Sequence, residues 1–349
     1  MTRLWWSILM VLALVLGVQT GPASAGEISL NVLGQPLATG LIQKNKEQPF
    51  FENFSKHVGF EAKVNYKPID VTGQKSEETL RLSKTGLFDI VSLRTAQAAR
   101  DEPFLLGQDI VGLNPDYKMA RTVYDLYAPH FDKVIQEKFN SRLLGLWPFG
   151  PQVLFCKKEI KGLKDIKGMK VRVYDQSLAQ FVENLGAIPV SIGFSETQQA
   201  LARGVVECAI TGPSSANTAG WPEVTEYFMP IAFQVGFNGY IMNLNSWKKL
   251  NADQQKKLQA GIDGLNKDIW AYSEEIFLDA VRCNVGKEPC KTVTKFKMKE
   301  VPVTDADKKL LSDAVAKISF PAWSAVCERS MPGCGAKWKQ ILGPLTGIK

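Results

Sequence analysis

An α/β protein of about two lobes is the fold class that the sequence predicts, and three observations carry it. From Glu27 onward, short apolar runs alternate with amphipathic stretches, the pattern of strands and helices packed in layers. The chain has 349 residues, 45% hydrophobic and 22% charged. That composition is globular, excludes disorder, collagen and coiled coil, and suits about two domains of ~100–200 residues each. A long apolar stripe then occupies residues 252–282, where Leu258, Ile262, Leu265, Ile269, Tyr272 and Ile276 recur at alternating steps of four and three. At ~1.5 Å per residue such a helix spans on the order of 45 Å, more than one lobe needs, and it is expected to brace one lobe against the other.

The elements follow in order. Met1-Thr2-Arg3 brings one positive charge, residues 4–18 are largely apolar, and Ala23-Ser24-Ala25 is a small-x-small site. These are the three parts of a secretory signal peptide, with cleavage expected after Ala25. The apolar run is shorter than the ~20 residues a spanning helix needs, so the mature chain is expected to be exported and soluble. Residues 28–33 read as a strand and 49–57 as a helix with Pro49 in its first turn. Residues 62–66 form the next strand, 76–83 a helix ending at Thr85-Gly86, and 89–93 a third strand. Gly168 opens a second series. Residues 170–173 are a strand, and 177–185 a helix with Leu178, Phe181, Val182 and Leu185 on one face. Ser195-Glu196-Thr197-Gln198 has capping-box form and opens a helix that closes at Arg203-Gly204. Residues 205–210 read as a buried strand.

Four of the six cysteines fall into matching pairs, Cys283 with Cys290 and Cys327 with Cys334. Loops this short close readily in an oxidising compartment, each bridge contributing ~2.5 kcal/mol by loop entropy. A four-thiolate zinc site is the rival reading, at a spacing wider than zinc usually takes. Cys156 and Cys208 remain, and a third bridge between them is a weaker expectation.

Several kinds of chemistry are excluded. His57 and His130 are the two histidines, far apart, and histidine-built metal centres need several imidazoles in convergent spacing. Ser246-Trp247-Lys248-Lys249, Ser215-Ala216-Asn217 and Lys84-Thr85-Gly86 match the three short motifs of penicillin-binding serine enzymes, but in reversed order along the chain. Lys84-Thr85-Gly86 reads better as a helix end and Ser246 as the cap of a surface turn. The net charge of +7 comes from lysines interleaved with acids, with no arginine-rich run or aromatic RNA-binding motif, so nucleic acid is not an expected partner. A mildly basic surface can instead draw anions toward a cleft.

Between Cys156 and Leu258 the sequence carries three ordered blocks. They are Ile160-Lys161-Gly162-Leu163-Lys164-Asp165-Ile166-Lys167-Gly168-Met169-Lys170-Val171-Arg172-Val173, then Leu185-Gly186-Ala187-Ile188-Pro189-Val190, then Phe194-Ser195-Glu196-Thr197-Gln198-Gln199-Ala200-Leu201-Ala202-Arg203-Gly204-Val205-Val206-Glu207. These blocks resemble the extracytoplasmic solute-binding proteins of tripartite ATP-independent periplasmic (TRAP) transporters, the DctP-like family. The resemblance implies a two-lobed periplasmic binding-protein fold with hinge strands and a long bracing helix. The lobes would be 26–150 with 238–276, and 151–237 with 277–349. It further implies a monomeric periplasmic receptor without cofactor or catalysis, taking a small organic anion to membrane permease subunits. A secreted two-lobed hydrolase and a same-fold sensor for a membrane signalling protein are the alternatives.

The family's signature arginine falls on Arg172, where it would clamp the ligand carboxylate. Lying between Val171 and Val173 on a strand, Arg172 should face opposite to them, and its guanidinium fork matches a carboxylate. Gln152 stands where sialic-acid-type members carry a second arginine, Thr211 where the family has asparagine, and Glu207-Cys208 where it has Asp-Gly. Arg94, at the end of a strand, is a candidate second anion contact. Trp147, Phe149, Trp221 and Phe233 lie in segments near the family's cleft and are candidates to hold an apolar ligand body.

Overall fold

A computed structural model describes residues 27–37 and 40–349; the expected signal peptide and its cleavage site lie outside them. Two sheets organise the chain. The first has the order β2-β1-β3-β10-β4, built from β1 (Ser29–Gly34), β2 (Lys63–Pro68), β3 (Ile90–Arg94), β4 (Ser141–Pro151) and β10 (Val235–Asn243). The second has the order β11-β9-β5-β8-β6-β7, from β5 (Val153–Cys156), β6 (Lys170–Val173), β7 (Ile188–Ser191), β8 (Cys208–Thr211), β9 (Tyr227–Met229) and β11 (Lys299–Glu300). In each sheet alternate residues of one strand feed opposite cores. Leu33 and Leu93 join one cluster while Val32 and Ile90 join another, as a pleat covered on both faces requires.

Two strands carry the chain between the sheets. β4 runs into β5 through Gln152, and the return from β9 to β10 passes Gln234. The two crossings are tied side by side: the Gln152 amide donates to the Gln234 carbonyl, and the Phe233 amide donates to the Gln152 carbonyl, each at 3.0 Å. The long helix is Ala252–Asn284, started by an Asn251–Gln254 capping box. Its stripe residues Leu258, Ile262, Leu265, Ile269 and Ile276 pack in the first-sheet core, and Phe277, Val281 and Val285 pack beside the second-sheet core. It braces both lobes, as its length predicts.

Most of the expected elements form, with boundary shifts that have identifiable causes. The helix expected at 49–57 begins earlier, with a π-helical turn at Gln43–Glu47, and breaks at Asn53. The helix Thr79–Thr85 ends at Gly86 and the helix Phe194–Ala202 is followed by Gly204, both glycines at positive φ (74° and 72°), where a side chain would be strained. The capping box at Ser195 does not form. Gly193 is the N-cap and makes no side-chain cap bond. The strand expected from Val205 starts only at Cys208, because Val205 lies exposed in the turn before it.

The assignment of 277–349 entirely to the second lobe needs correction. Val301, Leu311 and Ala314 do pack in the second-sheet core. Phe320, Trp323, Trp338 and Leu342, from the helices Phe320–Ser330 and Cys334–Thr346, pack instead in the first-sheet core against Phe104 and Tyr127. Their tryptophans are fixed there by indole N–H bonds, Trp338 to the Gly107 carbonyl and Trp323 to the Pro103 carbonyl.

All three disulfides close. Cys156–Cys208 joins directly opposed residues of antiparallel β5 and β8, while Cys283–Cys290 and Cys327–Cys334 each close a short loop. The four paired thiols are therefore bridges and not a zinc site.

Candidate functional site

A cavity of about 570 Å³ opens where the two sheets meet. The ends of β3, β6 and β8 reach it, together with the crossing strands, so its polar groups come from strand ends in both lobes. Ligands of open α/β sheets bind outside such carboxyl ends.

Arg172 comes from β6. Val171 and Val173 pack into the core on one face, and Arg172 turns to the other as predicted. Only 3% of it is exposed. Its Nε donates to the Ile192 carbonyl and its Nη1 to the Ile210 carbonyl, both at 3.0 Å. Three aromatic rings surround the guanidinium, with Tyr174 and Trp221 centred 5.7 Å from it and Phe194 6.0 Å. Carbonyl dipoles and π faces thus hold the cation. Burial, offset partly by Tyr174, brings its pKa down to about 10, still far above neutral, so the group stays charged.

Arg94 comes from the other lobe, at the end of β3. Its Nε donates to Gln35 Oε1 at 2.9 Å, and its guanidinium lies 5.0 Å from the centre of the Phe149 ring. Burial lowers its pKa to about 10 as well. The two guanidiniums feel each other across the cavity, since Arg94 contributes to the lowering at Arg172. Gln152 and Thr211, both buried, line the same wall; Gln152 Nε2 donates to the Gly150 carbonyl at 2.8 Å.

Five predicted residues, Arg172, Arg94, Gln152, Thr211 and Phe149, are therefore brought together. The other three are not on the wall. Trp147 is fully buried in the first-sheet core beside Tyr240, and Phe233 packs on Phe181 in the second-sheet core. Trp221 packs on Phe155 and on the lining residue Phe194, and its ring lies 5.7 Å from the Arg172 guanidinium. Each carries the bulk that a core fills with aromatics, which composition cannot separate from a ligand-facing ring.

Sequence reasoning missed other lining residues. Phe194, Phe237, Asn238 and Trp323 contribute to the cavity. So do two acids. Asp175 caps the helix Gln176–Asn184 by accepting from the Leu178 amide, and burial raises its pKa to about 6. Asp109 accepts from the Phe237 amide and the Thr95 hydroxyl, and burial pushes its carboxyl well above the ordinary range. Tyr174 and Asp175 had a usable signal, because they follow β6 at its carboxyl end. Asp109 had none, lying in a loop with no motif.

The penicillin-binding fragments do not converge. Lys84-Thr85-Gly86 is a helix end, Ser246 Oγ donates to Asp89 Oδ1 at 2.5 Å, and Asn217 bonds Asn284 and Thr294. Ser246 is not a cap; Asn243 caps that helix. His57 stacks on Phe50 at 5.0 Å. Among the described residues no group of acids, histidines and cysteines is arranged to hold a metal ion, and no helix is long and apolar enough to cross a membrane.

Comparison with known proteins bears on the same region. Over residues 76–279 the chain matches the family described as bacterial extracellular solute-binding protein, family 7 (DctP). It is 24% identical over 228 residues to a solute-binding protein of Sulfitobacter sp. strain NAS-14.1, covering 64% of this chain and 66% of that one. It is 30% identical over 119 residues to the C4-dicarboxylate-binding periplasmic protein DctP of Rhodobacter capsulatus, covering 33% and 35%. The matched segments thus span about a third to two thirds of these curated relatives' lengths. Solved structures agree over nearly the whole fold. A TRAP periplasmic solute-binding protein of Desulfovibrio salexigens with bound orotic acid has a TM-score of 0.77 at 16% identity, covering 91% of this chain and 100% of that one. DctP6 of Bordetella pertussis, a receptor binding pyroglutamic acid, has 0.76 at 19%, covering 89% and 99%. A TRAP protein of Desulfovibrio desulfuricans with bound sn-glycerol-3-phosphate has 0.75 at 17%, covering 90% and 96%. These establish the two-lobed fold.

Proposed function

Because the chain belongs to the DctP family of bacterial extracellular solute-binding proteins, we propose that it is the periplasmic receptor of a TRAP transporter, capturing a small organic acid by its carboxylate. Members of this family are substrate-binding receptors and not enzymes, and the chemistry of the cavity supports the same role here. The observation that carries the reading is Arg172, a buried guanidinium whose two fixed donors go to neutral main-chain carbonyls. An ion of this kind is costly to bury alone, and a carboxylate meets both its charge and its fork geometry.

Capture follows from the two-lobe construction. The tied crossings at Gln152 and Gln234 are the hinge about which the lobes close. Closure brings Arg94 of one lobe toward Arg172 of the other and removes water from both, which strengthens each charged contact. Gln152 and Thr211 supply neutral polar contacts, and Phe149, Phe194 and Phe237 supply flat apolar surface for the ligand body. The orotic acid and pyroglutamic acid carried by proteins of this fold support an organic acid; the sn-glycerol-3-phosphate carried by another places phosphate esters among the ligands to be tested. The filled receptor then docks on permease subunits. Residues 1–25 are the export signal in this reading, cleaved after Ala25.

Isothermal titration calorimetry with a panel of monocarboxylic, dicarboxylic and heterocyclic acids tests the proposal. Arg172→Ala should fold normally and weaken the tightest-bound acid by roughly 100-fold or more, the loss expected for a buried charge partner. Unchanged affinity would contradict the assignment.

A further inference from the structure

One wall of the cavity comes from neither sheet. The chain leaves the second-sheet core at Ala314, passes through a π-helical turn at Val315–Ser319 and enters the helix Phe320–Ser330, which packs in the first-sheet core. That helix also lies against the second-lobe helix Gln176–Asn184, so it stands where the lobes meet. Two of its residues, Trp323 and Val326, are three apart and so share a face. They line the cavity with Pro103 and Leu106 of the first lobe and Ala179 of the second. This apolar part of the wall is built on elements that carry neither Arg172 nor Arg94. Trp323 is held firmly. Its indole N–H donates to the Pro103 carbonyl at 2.8 Å, and it approaches Gly107 so closely that a Cβ there would lie 2.6 Å from its ring. Val326 has no such hold, being half-buried and outside the first-sheet core. The residue after it is Cys327, fully buried and bridged to Cys334 at the start of the helix Cys334–Thr346. Glu328 closes the same turn, accepting from the Gly333 and Gly335 amides at 2.7 Å each. A bridge over so short a loop gains modestly from loop entropy; what it adds is a fixed place for the helical turn that carries Val326.

We propose that the C-terminal helix pair is a size-setting wall of the cavity, in which Val326 and Trp323 limit the length of the ligand's apolar part and the Cys327–Cys334 bridge is a positioning element that keeps Val326 in place. The inference rests on the receptor reading above and adds a specificity determinant to it. An acid held by its carboxylate gains affinity as its apolar part covers this wall, until the wall stops it. A wall that cannot yield penalises one methylene too many, because overpacking forces side chains and backbone to shift. A wall that can yield discriminates poorly. The bridge between Cys156 and Cys208 serves as the internal contrast, since it joins two sheet strands and has no lining residue beside it on the helix pair.

The test is calorimetric titration of two series: straight-chain monocarboxylic acids from butyrate to decanoate, and phenyl-substituted acetate, propionate and butyrate. Wild-type affinity should rise by roughly fourfold per added methylene, reach a maximum, and then fall by about 10-fold or more where the chain meets the wall. Val326→Ala should move the maximum to an acid longer by about one carbon, and Val326→Leu should move it to a shorter one. Replacing Cys327 and Cys334 together by alanine should reduce the fall beyond the maximum to less than about threefold. A loss of stability alone does not change a length preference, and the Cys156 and Cys208 double variant should lower Tm while keeping the wild-type maximum and fall. Should the Cys327 and Cys334 double variant fold poorly, Cys334→Ser opens the bridge and leaves Cys327 to fill its place in the core. A wild type that shows no maximum, or binds none of the acids, overturns the inference. So does a maximum that Val326→Ala leaves in place, or a fall that persists when the bridge is open. Failure of the receptor reading is separate, because it would appear as Arg172→Ala binding every acid like the wild type.

Discussion

The two sides of the cavity present their arginines to different groups. On the second-lobe side, Arg172 is fixed by main-chain carbonyls of Ile192 and Ile210 and by aromatic faces. Those carbonyls exist whatever residues occupy positions 192 and 210, so the fold alone supplies the grip. On the first-lobe side, Arg94 Nε donates to the Gln35 side-chain oxygen, and Gln35 Nε2 in turn donates to the Ser92 main-chain carbonyl. That contact depends on a particular side chain. A contact fixed by the main chain tolerates substitution around it, whereas one fixed by Gln35 is lost with that side chain. Carbonyls and π faces hold Arg172 without neutralising its charge.

The largest effect that sharpens this comparison comes from exchanging each arginine for lysine. Arg172→Lys keeps the charge but cannot span the two carbonyls or present a fork, and should lose about 10- to 100-fold in affinity by calorimetry. Arg94→Lys should lose less. Equal losses at the two positions would break the distinction. A smaller effect concerns pH. Burial raises the Asp175 pKa to about 6, with the Leu178 and Ser177 amides and Arg172 opposing it. The carboxylate beside the site is therefore ionised above pH 6 and neutral below it, and an anionic ligand meets less repulsion at the lower value. Affinity for an acid that stays ionised should rise several-fold between pH 7.5 and 5.5, and Asp175→Asn should flatten the profile. For stability the sign is the same. A carboxyl raised above its unfolded value is protonated more readily in the folded state, so its contribution weakens as pH rises from about 4 through 6. The smallest effect on binding is expected from the bridge between β5 and β8. Replacing Cys156 and Cys208 together by alanine removes a closure of 52 residues, worth at most about 4 kcal/mol of stability by loop entropy. Tm should fall while acid affinity stays within about twofold, since neither cysteine lines the cavity.

The same comparison explains what the sequence could reveal. Arg172 was legible because a strand of four residues places it opposite two valines, and a period of two needs no tertiary information. The long helix was legible for the same kind of reason, its stripe being periodic. Arg94 could be placed at a strand end, but its supports could not. Glu47 lies before the helix expected at 49–57, and nothing local shows that the π-helical turn before Pro49 buries it. The C-terminal helices show the general limit. Their apolar faces are plain in the sequence, yet a face does not specify which sheet it covers, and Trp323 and Trp338 went to the first lobe. Trp147 and Phe233 show it again, as rings in cleft-proximal segments that turn inward to fill cores.

Capture as proposed depends on Arg172 receiving the ligand's carboxylate. The most direct measurement is a crystal structure of the mature protein with the acid that titration identifies as tightest. A carboxylate oxygen should lie at hydrogen-bond distance, about 2.8 Å, from an Arg172 nitrogen, with Nε still on Ile192 and Nη1 still on Ile210. An acid bound in the cavity with its carboxylate turned away from Arg172 would contradict the account.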